Sequence, residues 1–172
     1  MKVLLLTRGN RFLEKALRAA PNVELSVAPD LSAPAKGFDV AVIDDVFPTV
    51  WPSINVLAIH TPNTNWFDSV GQVETPAIVD WKQNHPLLRF TSFDNVQIAA
   101  SLAVKTPTWA IVLVETSRTP LILAGEFRGQ RIVWIGFDTL QSTWPLRISF
   151  PIFMANAVEW LNPAAANSAQ LT

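Results

Sequence analysis

Three stretches of this chain are apolar at almost every position: "KVLLLT" (2–7), "FDVAVID" (38–44) and "INVLAIH" (54–60). Successive side chains of a strand point to opposite faces, so an uninterrupted apolar run predicts a strand that is buried on both faces. Such strands are typical of parallel sheets that are covered by a packed layer on each side. The chain is therefore expected to form an open α/β sheet in which these runs are the parallel part.

Two helices are expected to pack against this sheet. The segment 11–20 carries apolar residues at helical spacing, and Asn10 is a candidate N-cap in front of it. The last helix is predicted to begin near Ser149, because Pro151 is tolerated in a first helical turn. That helix is apolar around most of its circumference, so it is expected to be buried between other elements.

The second half of the chain has a different sequence pattern. Short turns such as "SRTP" and "RGQ" separate strand-like runs, and turns of that length join antiparallel neighbours. The runs are "VETPAIVDW", "NVQIAASLAV", "WAIVLVETS", "PLILAGEF" and "QRIVWIGFD". The prediction is a parallel sheet that antiparallel strands of the second half extend.

Size and charge limit the organisation and the partners. A chain of 172 residues forms one domain of ordinary size, predicted over 1–161, with 162–172 as a flexible tail or linker. The net charge is −1 and no basic run occurs, which argues against nucleic acid or an anionic membrane surface as a partner. The apolar stretch near the end is too short and too polar to span a bilayer, so a soluble domain is expected.

Several segments resemble known families. "PLILAGEFRGQRIVWIGFD" resembles the closing hairpin and last strand of class I glutamine amidotransferase-like domains, which include the ThuA-like domains. A wider resemblance covers "LTRGNRFLEKAL", "DWKQNHPLLRF" and "GFDTLQSTWPLRISFPIFMANAVEWL". These segments are similar to the domain that accompanies von Willebrand factor A modules in bacterial membrane proteins of the aerotolerance type. The resemblance implies a flavodoxin-like, three-layer sandwich and a membrane-anchored parent protein.

The resemblance does not extend to catalysis. An active amidotransferase of this class needs a cysteine on a strand-to-helix elbow, followed by His and Glu. This chain has no cysteine and no G-x-C-x-G or G-x-S-x-G motif. We therefore expect a non-catalytic interaction or scaffold module without a cofactor, whose partner is another protein or another domain of its own chain.

Polar residues that follow the buried strands are the first candidate site. Asp44, Asp45 and His60 end two of these strands, and open α/β sheets bind ligands outside the carboxyl ends of their strands. The acids could hold Mg²⁺ or accept a phosphoryl group, but capping of turn amides is favoured, so no metal is predicted. A hydrolase or small-ligand site at the carboxyl ends of the strands that uses Asp44, His60 and Asp138 is the alternative.

The turn before the last helix is the second candidate. Asp138, Ser142 and Arg147 could form a polar pocket that recognises a carboxylate. An ion pair between Asp138 and Arg147, which would tie the last strand to the helix, is favoured.

Loop tryptophans are the third candidate. Trp66, Trp81 and Trp144 fall in loops or at strand ends, where exposed aromatic rings could bind a protein partner or a sugar. A carbohydrate-binding module is therefore a further alternative. The favoured interpretation is that these side chains are lids over the core.

Overall fold

The computed structural model describes residues 1–30 and 36–164. The parallel part contains β1 (Lys2–Thr7), α1 (Arg11–Ala19), β2 (Glu24–Ala28), β3 (Val40–Asp44) and β4 (Asn55–Ile59). The strands that follow are β5 (Ser69–Glu74), β6 (Ile78–Trp81), β7 (Ala100–Val104), β8 (Ala110–Thr116), β9 (Pro120–Phe127) and β10 (Gln130–Ile135). Helix α2 (Ser149–Leu161) follows two short 3₁₀ turns, Thr139–Gln141 and Trp144–Leu146, and a third such turn lies at Pro86–Leu88.

Eight strands form the central sheet in the order β2-β1-β3-β4-β10-β9-β8-β6. The five strands from β2 to β10 are parallel to one another, and β9, β8 and β6 are antiparallel to their neighbours. The predicted parallel sheet with an antiparallel extension is confirmed. Strands β5 and β7 pair with each other outside this sheet.

Both faces of β1, β3 and β4 are buried, as the continuous apolar runs predict, whereas β2 at the edge of the sheet is largely exposed. In β1, Val3 and Leu5 pack on the face that α1 and α2 cover, whereas Leu4 and Leu6 pack on the opposite face. That opposite face is covered by loop residues including Trp66 and by strand β7. The predicted three-layer α/β fold is confirmed, although its third layer consists of loops and the β5–β7 pair rather than of helices.

The start of α1 is fixed near the carboxyl ends of the parallel strands. Asn10 is buried and caps α1, since its side-chain oxygen accepts a hydrogen bond from the backbone N–H of Leu13 at 3.1 Å. Its side-chain amide donates to the hydroxyl of Thr139 at 3.2 Å. The start of α1 is thereby held beside the turn that follows β10.

None of the helices described is both long and apolar enough to cross a membrane. Most of the predicted tail, residues 165–172, lies outside the described residues. The division into a domain over 1–161 and a tail therefore stays a prediction.

Candidate ligand site at the carboxyl ends of the parallel strands

The direction in which the sheet is built reverses between β1 and β3. The chain passes from β1 through α1 to β2 on one side of β1, and then returns to form β3 on the other side. Such a reversal opens a crevice at the carboxyl ends of the two strands, which is where ligands bind in open α/β sheets. Thr7 and Asp44 are register partners at the ends of β1 and β3 and line this crevice.

Asp44 is the most deeply buried acid of this region, with 4% of its surface exposed. Its Oδ2 accepts a hydrogen bond from the Thr7 hydroxyl at 2.7 Å, whereas its Oδ1 is buried without a hydrogen-bond partner among the described residues. Burial raises the pKa of Asp44, and the charges of Asp138 and Asp45 act in the same direction. The hydroxyl of Thr7 and the side chain of Asn10 partly oppose this shift.

Asp45 and His60 form a hydrogen-bonded pair just after β3 and β4. His60 Nδ1 lies 2.9 Å from Asp45 Oδ1, and the guanidinium of Arg8 donates to Asp45 Oδ2 at 2.7 Å. Both residues of the pair have positive φ, 51° for Asp45 and 54° for His60, which is uncommon outside glycine. Their backbone N–H groups donate to Ile59 and Ile135 respectively, so each turn is held by the neighbouring strand.

Asp138 completes the cluster from the far side of β4. Its Oδ1 accepts a hydrogen bond from the backbone N–H of Leu140 at 3.0 Å. One candidate ligand atom each from Asp45, His60 and Asp138 lies within 4.8 Å of the other two, and all three residues are half-buried. Three turns that are distant in the sequence therefore bring two carboxylates and one imidazole together.

This arrangement permits two kinds of chemistry. An imidazole that a carboxylate holds at Nδ1 is oriented to accept a proton at Nε2, as in a hydrolase dyad. Two carboxylates and an imidazole also form a donor set that binds divalent cations. Of the predicted site residues, Asp44, Asp45, His60 and Asp138 meet in one place.

Ser142 and Arg147 do not join this cluster. The Ser142 hydroxyl donates to the carbonyl of Thr139 at 2.8 Å, which is a local turn contact. Arg147 donates to the carbonyl of Asn95 at 3.0 Å, so the predicted Asp138–Arg147 ion pair is wrong for the described residues. The reason is the 3₁₀ turn at Trp144–Leu146, which carries Arg147 over the loop before β7.

Ser142 lines a separate open cleft of about 810 Å³. Residues 75–78, 93–99 and 140–143, together with Trp81, form its walls. The cleft contains none of the four residues that meet at the carboxyl ends.

The tryptophans do not form an exposed binding face. Trp144 is completely buried among Phe93, Phe137 and the aromatic residues of α2. Trp66 is buried against the second face of the sheet, and Trp81 is half-buried. The sequence-based alternative of an exposed, sugar- or partner-binding row at Trp66, Trp81 and Trp144 is wrong, because the rings of Trp66 and Trp144 are buried in the core. The favoured interpretation as lids over the core describes these two residues.

Thr7 and Arg8 contribute to the site, although they were not predicted as site residues. Thr7 is polar in an otherwise apolar run, and it is the last residue of β1. The rule that ligands bind outside the carboxyl ends of parallel strands, applied to β1 as well as to β3 and β4, identifies both residues.

The buried carboxyl of Asp44 leads to a prediction about stability. Since its pKa is raised on folding, the associated stability is present at acidic pH and is lost as the pH rises through the folded pKa. Asp44→Asn removes the buried charge while its carbonyl oxygen can still accept from Thr7. We expect this variant to melt about 2–4 °C above the wild type at pH 7.

The measurement is thermal unfolding as a function of pH. A chelator is present so that no metal ion competes with protons for the Asp44 carboxyl. The difference should disappear below about pH 3.9, where an unperturbed aspartate is itself protonated. Asp68→Asn, at an exposed acid, is the matched control and should leave the melting temperature unchanged. An Asp44→Asn variant that melts lower than the wild type at pH 7 would contradict the expected cost of the buried charge.

Proteins of known structure share this architecture. A cytoplasmic protein from Salmonella typhimurium LT2 superposes with a TM-score of 0.72 at 12% identity, over 94% of this chain and 100% of that chain. A ThuA-like protein from Parabacteroides merdae superposes with a TM-score of 0.58 at 12% identity, over 95% and 90%. A GMP synthase-like protein from Thermoplasma acidophilum superposes with a TM-score of 0.61 at 9% identity, over 100% and 98%.

At these identities the likeness shows the fold alone. The chain has the fold of ThuA-like and glutamine amidotransferase-like proteins, as its sequence segments indicate. No protein-family model and no curated protein matches the sequence.

Proposed function

We propose that this chain is a non-catalytic, amidotransferase-like interaction module of a larger, membrane-associated bacterial protein. The amidotransferase-like fold supports the first part of the proposal. The residues at the positive-φ turns after β3 and β4 are an acid and an imidazole that bind each other, and the sequence has no cysteine to act as a thiol nucleophile. The fold therefore supplies a shape and a set of surfaces to a parent protein rather than glutamine hydrolysis.

The observation that carries the interaction role is an exposed apolar surface beside the start of α2. Phe90, Leu146 and Ile148 are 81%, 73% and 80% exposed. They lie on two adjoining segments, because the backbone N–H of Ser92 donates to the Ser149 hydroxyl at 2.8 Å and Arg147 reaches the same loop. Large apolar side chains that are exposed together are typical of a surface that another protein covers.

The partner proposed for this apolar surface is a neighbouring domain of the same parent chain, a von Willebrand factor A module in particular. The resemblance of "DWKQNHPLLRF" and of the last 26 residues before Asn162 to the domain found beside such modules supports this choice. The native reading frame provides the first check. A frame that encodes neither a membrane-spanning segment nor a second module would contradict the proposal.

Binding to the neighbouring module is the experimental test. The domain and the adjacent module are produced separately, and their dissociation constant is measured by calorimetry. Ile148→Glu places a charge on the apolar surface and should weaken binding by about tenfold or more, because a buried unpaired charge opposes association. Val70→Glu on β5, which lies in the third layer, is the matched control and should bind like the wild type. Equal affinity of the wild type and Ile148→Glu would show that the apolar surface is not the interface.

A hydrolase is the second candidate, because Asp45 orients His60 as in a catalytic dyad. Among residues 1–30 and 36–164, however, no Ser or Thr hydroxyl donates to His60, so a nucleophile would have to be an activated water. Ester or amide hydrolysis by the wild type that Asp45→Asn and His60→Ala both abolish would favour this candidate over the interaction module.

A further inference from the structure

We propose that Asp45, His60 and Asp138 bind a first-row divalent cation such as Mn²⁺ at the carboxyl ends of β3, β4 and β10. This site revises the sequence-based expectation that the chain holds no metal. It does not depend on the proposed interaction role, since it shares no residue with the apolar surface.

The donor atoms are the first part of the argument. One candidate ligand atom from each of the three residues lies within 4.8 Å of the other two. Two atoms that each lie about 2.1 Å from one cation and 2.9 Å from each other subtend an angle of about 90° at the cation, as neighbouring positions of an octahedron do. His60 Nδ1 and Asp45 Oδ1 have this separation. A small closing movement of Asp138 would place its carboxylate at a third position.

The second carboxylate oxygen of Asp45 and one oxygen of Asp138 are held by neighbouring groups. Arg8 binds Asp45 through Oδ2, so Oδ1 can bind the cation while this ion pair persists. The backbone N–H of Leu140 binds Asp138 through Oδ1, which leaves Oδ2 for the cation. These two bonds orient the carboxylates through their other oxygens, and the hydrogen bond between His60 Nδ1 and Asp45 Oδ1 would be replaced by the cation when both atoms bind it.

Asp44 provides an independent observation. It is 4% exposed, and its Oδ1 is buried and accepts no hydrogen bond within 3.5 Å among the described residues, although the side chain of Asn10 lies near enough to stabilise its charged form. It also interacts electrostatically with both Asp45 and Asp138. Leaving a charged oxygen in such a position without a partner is costly. A cation bound by the neighbouring carboxylates would compensate this charge.

The balance of charge favours a cation in the same way. Asp44, Asp45 and Asp138 place three carboxyl groups at one end of the sheet. In the part of the chain that the structure describes, the permanent cation that contacts them is Arg8, whose side chain is 71% exposed and bridges to Asp45. A divalent ion between Asp45 and Asp138 would offset the excess negative charge where it is least exposed to water.

The type of cation follows from the donors. Carboxylate oxygens suit Mg²⁺ and Mn²⁺, whereas an imidazole nitrogen favours later first-row metals over Mg²⁺. Three protein ligands on one side of an octahedron would leave the other positions to water or to an anionic ligand. We therefore expect Mn²⁺ and Zn²⁺ to bind more tightly than Mg²⁺.

The test is calorimetric titration of the chelator-treated wild-type chain with Mn²⁺, repeated with Asp45→Asn, His60→Ala and Asp138→Asn. We expect one site per chain in the wild type and affinities about 10–100-fold lower in each variant. Asp68→Asn, at an exposed acid outside the cluster, is the control and should bind like the wild type. Failure of the wild type to bind Mn²⁺ at millimolar concentration, or unchanged affinity in all three variants, would overturn the proposal.

A second measurement keeps the test valid if a variant unfolds. His60 and His85 are the only histidines, and they lie at opposite ends of the sheet. His60 follows the end of β4. His85 lies beside Trp160 at the end of α2, and the start of β4 contacts this end of α2 through Asn55. Bound Mn²⁺ should broaden the imidazole NMR signals of His60 at much lower ion-to-protein ratios than those of His85. Equal broadening of both histidines would overturn the proposed location, and neither result bears on binding at the apolar surface.

Discussion

Replacing Trp144 with alanine is expected to lower the free energy of unfolding by about 3–5 kcal/mol, because it removes the largest ring from the centre of the aromatic cluster. Trp144 is completely buried and packs against Phe93, Phe137, Phe150 and Phe153, with ring centroids 5.1–5.8 Å apart. This cluster joins the turn after β10 to α2 and to the loop before β7. Its loss should therefore loosen the whole helical layer rather than one turn.

Urea unfolding measures this effect, and two variants control it. Trp144→Phe should cost less than about 1.5 kcal/mol, because it keeps an aromatic ring and also removes an indole N–H that is buried without a partner among residues 1–30 and 36–164. Leu146→Ala, two residues away but 73% exposed, should change stability by less than about 0.5 kcal/mol. A loss below about 1 kcal/mol for Trp144→Ala would mean that the ring is exposed in solution, and the partner-binding role of this tryptophan would return.

Gly125→Ala is expected to destabilise the antiparallel part of the sheet by about 1–3 kcal/mol. A methyl group at this position of β9 would meet the backbone carbonyl oxygen of Trp109, which lies next to Ala110, the register partner of Gly125 in β8. A backbone atom cannot rotate away as a side chain can, so the two strands would have to separate locally. Glycine is thus required here for close approach rather than for an unusual φ.

Glu126→Ala is the matched control, since it changes the next residue of β9 at an exposed position and should cost less than about 0.5 kcal/mol. Hydrogen exchange of the β8 and β9 amides locates the effect. Faster exchange in these two strands, with α1 and β1 unchanged, is the expected pattern. A Gly125→Ala variant as stable as the wild type would contradict the close approach of the two strands.

The inner part of the parallel sheet could be predicted because β1, β3 and β4 are apolar without alternation, a pattern that depends on local sequence alone. The meeting of Asp44, Asp45, His60 and Asp138 followed from a topological rule, since all carboxyl ends of a parallel sheet lie on one edge. The same rule does not predict which of the aspartates binds His60. Asp45, which follows β3 and has a positive φ, binds His60, whereas Asp44 at the end of β3 binds Thr7.

The turn after β10 was predicted less well, because its conformation depends on distant contacts. The backbone N–H of Gln97 donates to the Thr143 hydroxyl at 2.8 Å, and this bond holds the turn against the loop before β7. Arg147 then meets Asn95 instead of Asp138, and Trp144 points into the core instead of towards solvent. The spacing of residues 138–149 carries no information about a partner that lies 46 residues away.

Whether the carboxyl ends of β3, β4 and β10 form one binding site is tested most directly by crystals soaked in Mn²⁺. An anomalous difference map should contain a peak about 2.0–2.3 Å from carboxylate oxygens of Asp45 and Asp138 and from a nitrogen of His60. The buried oxygen of Asp44 should face this peak or a water molecule bound to the ion. A map without a peak at this position, or side chains of Asp45, His60 and Asp138 that point away from one another, would contradict the site.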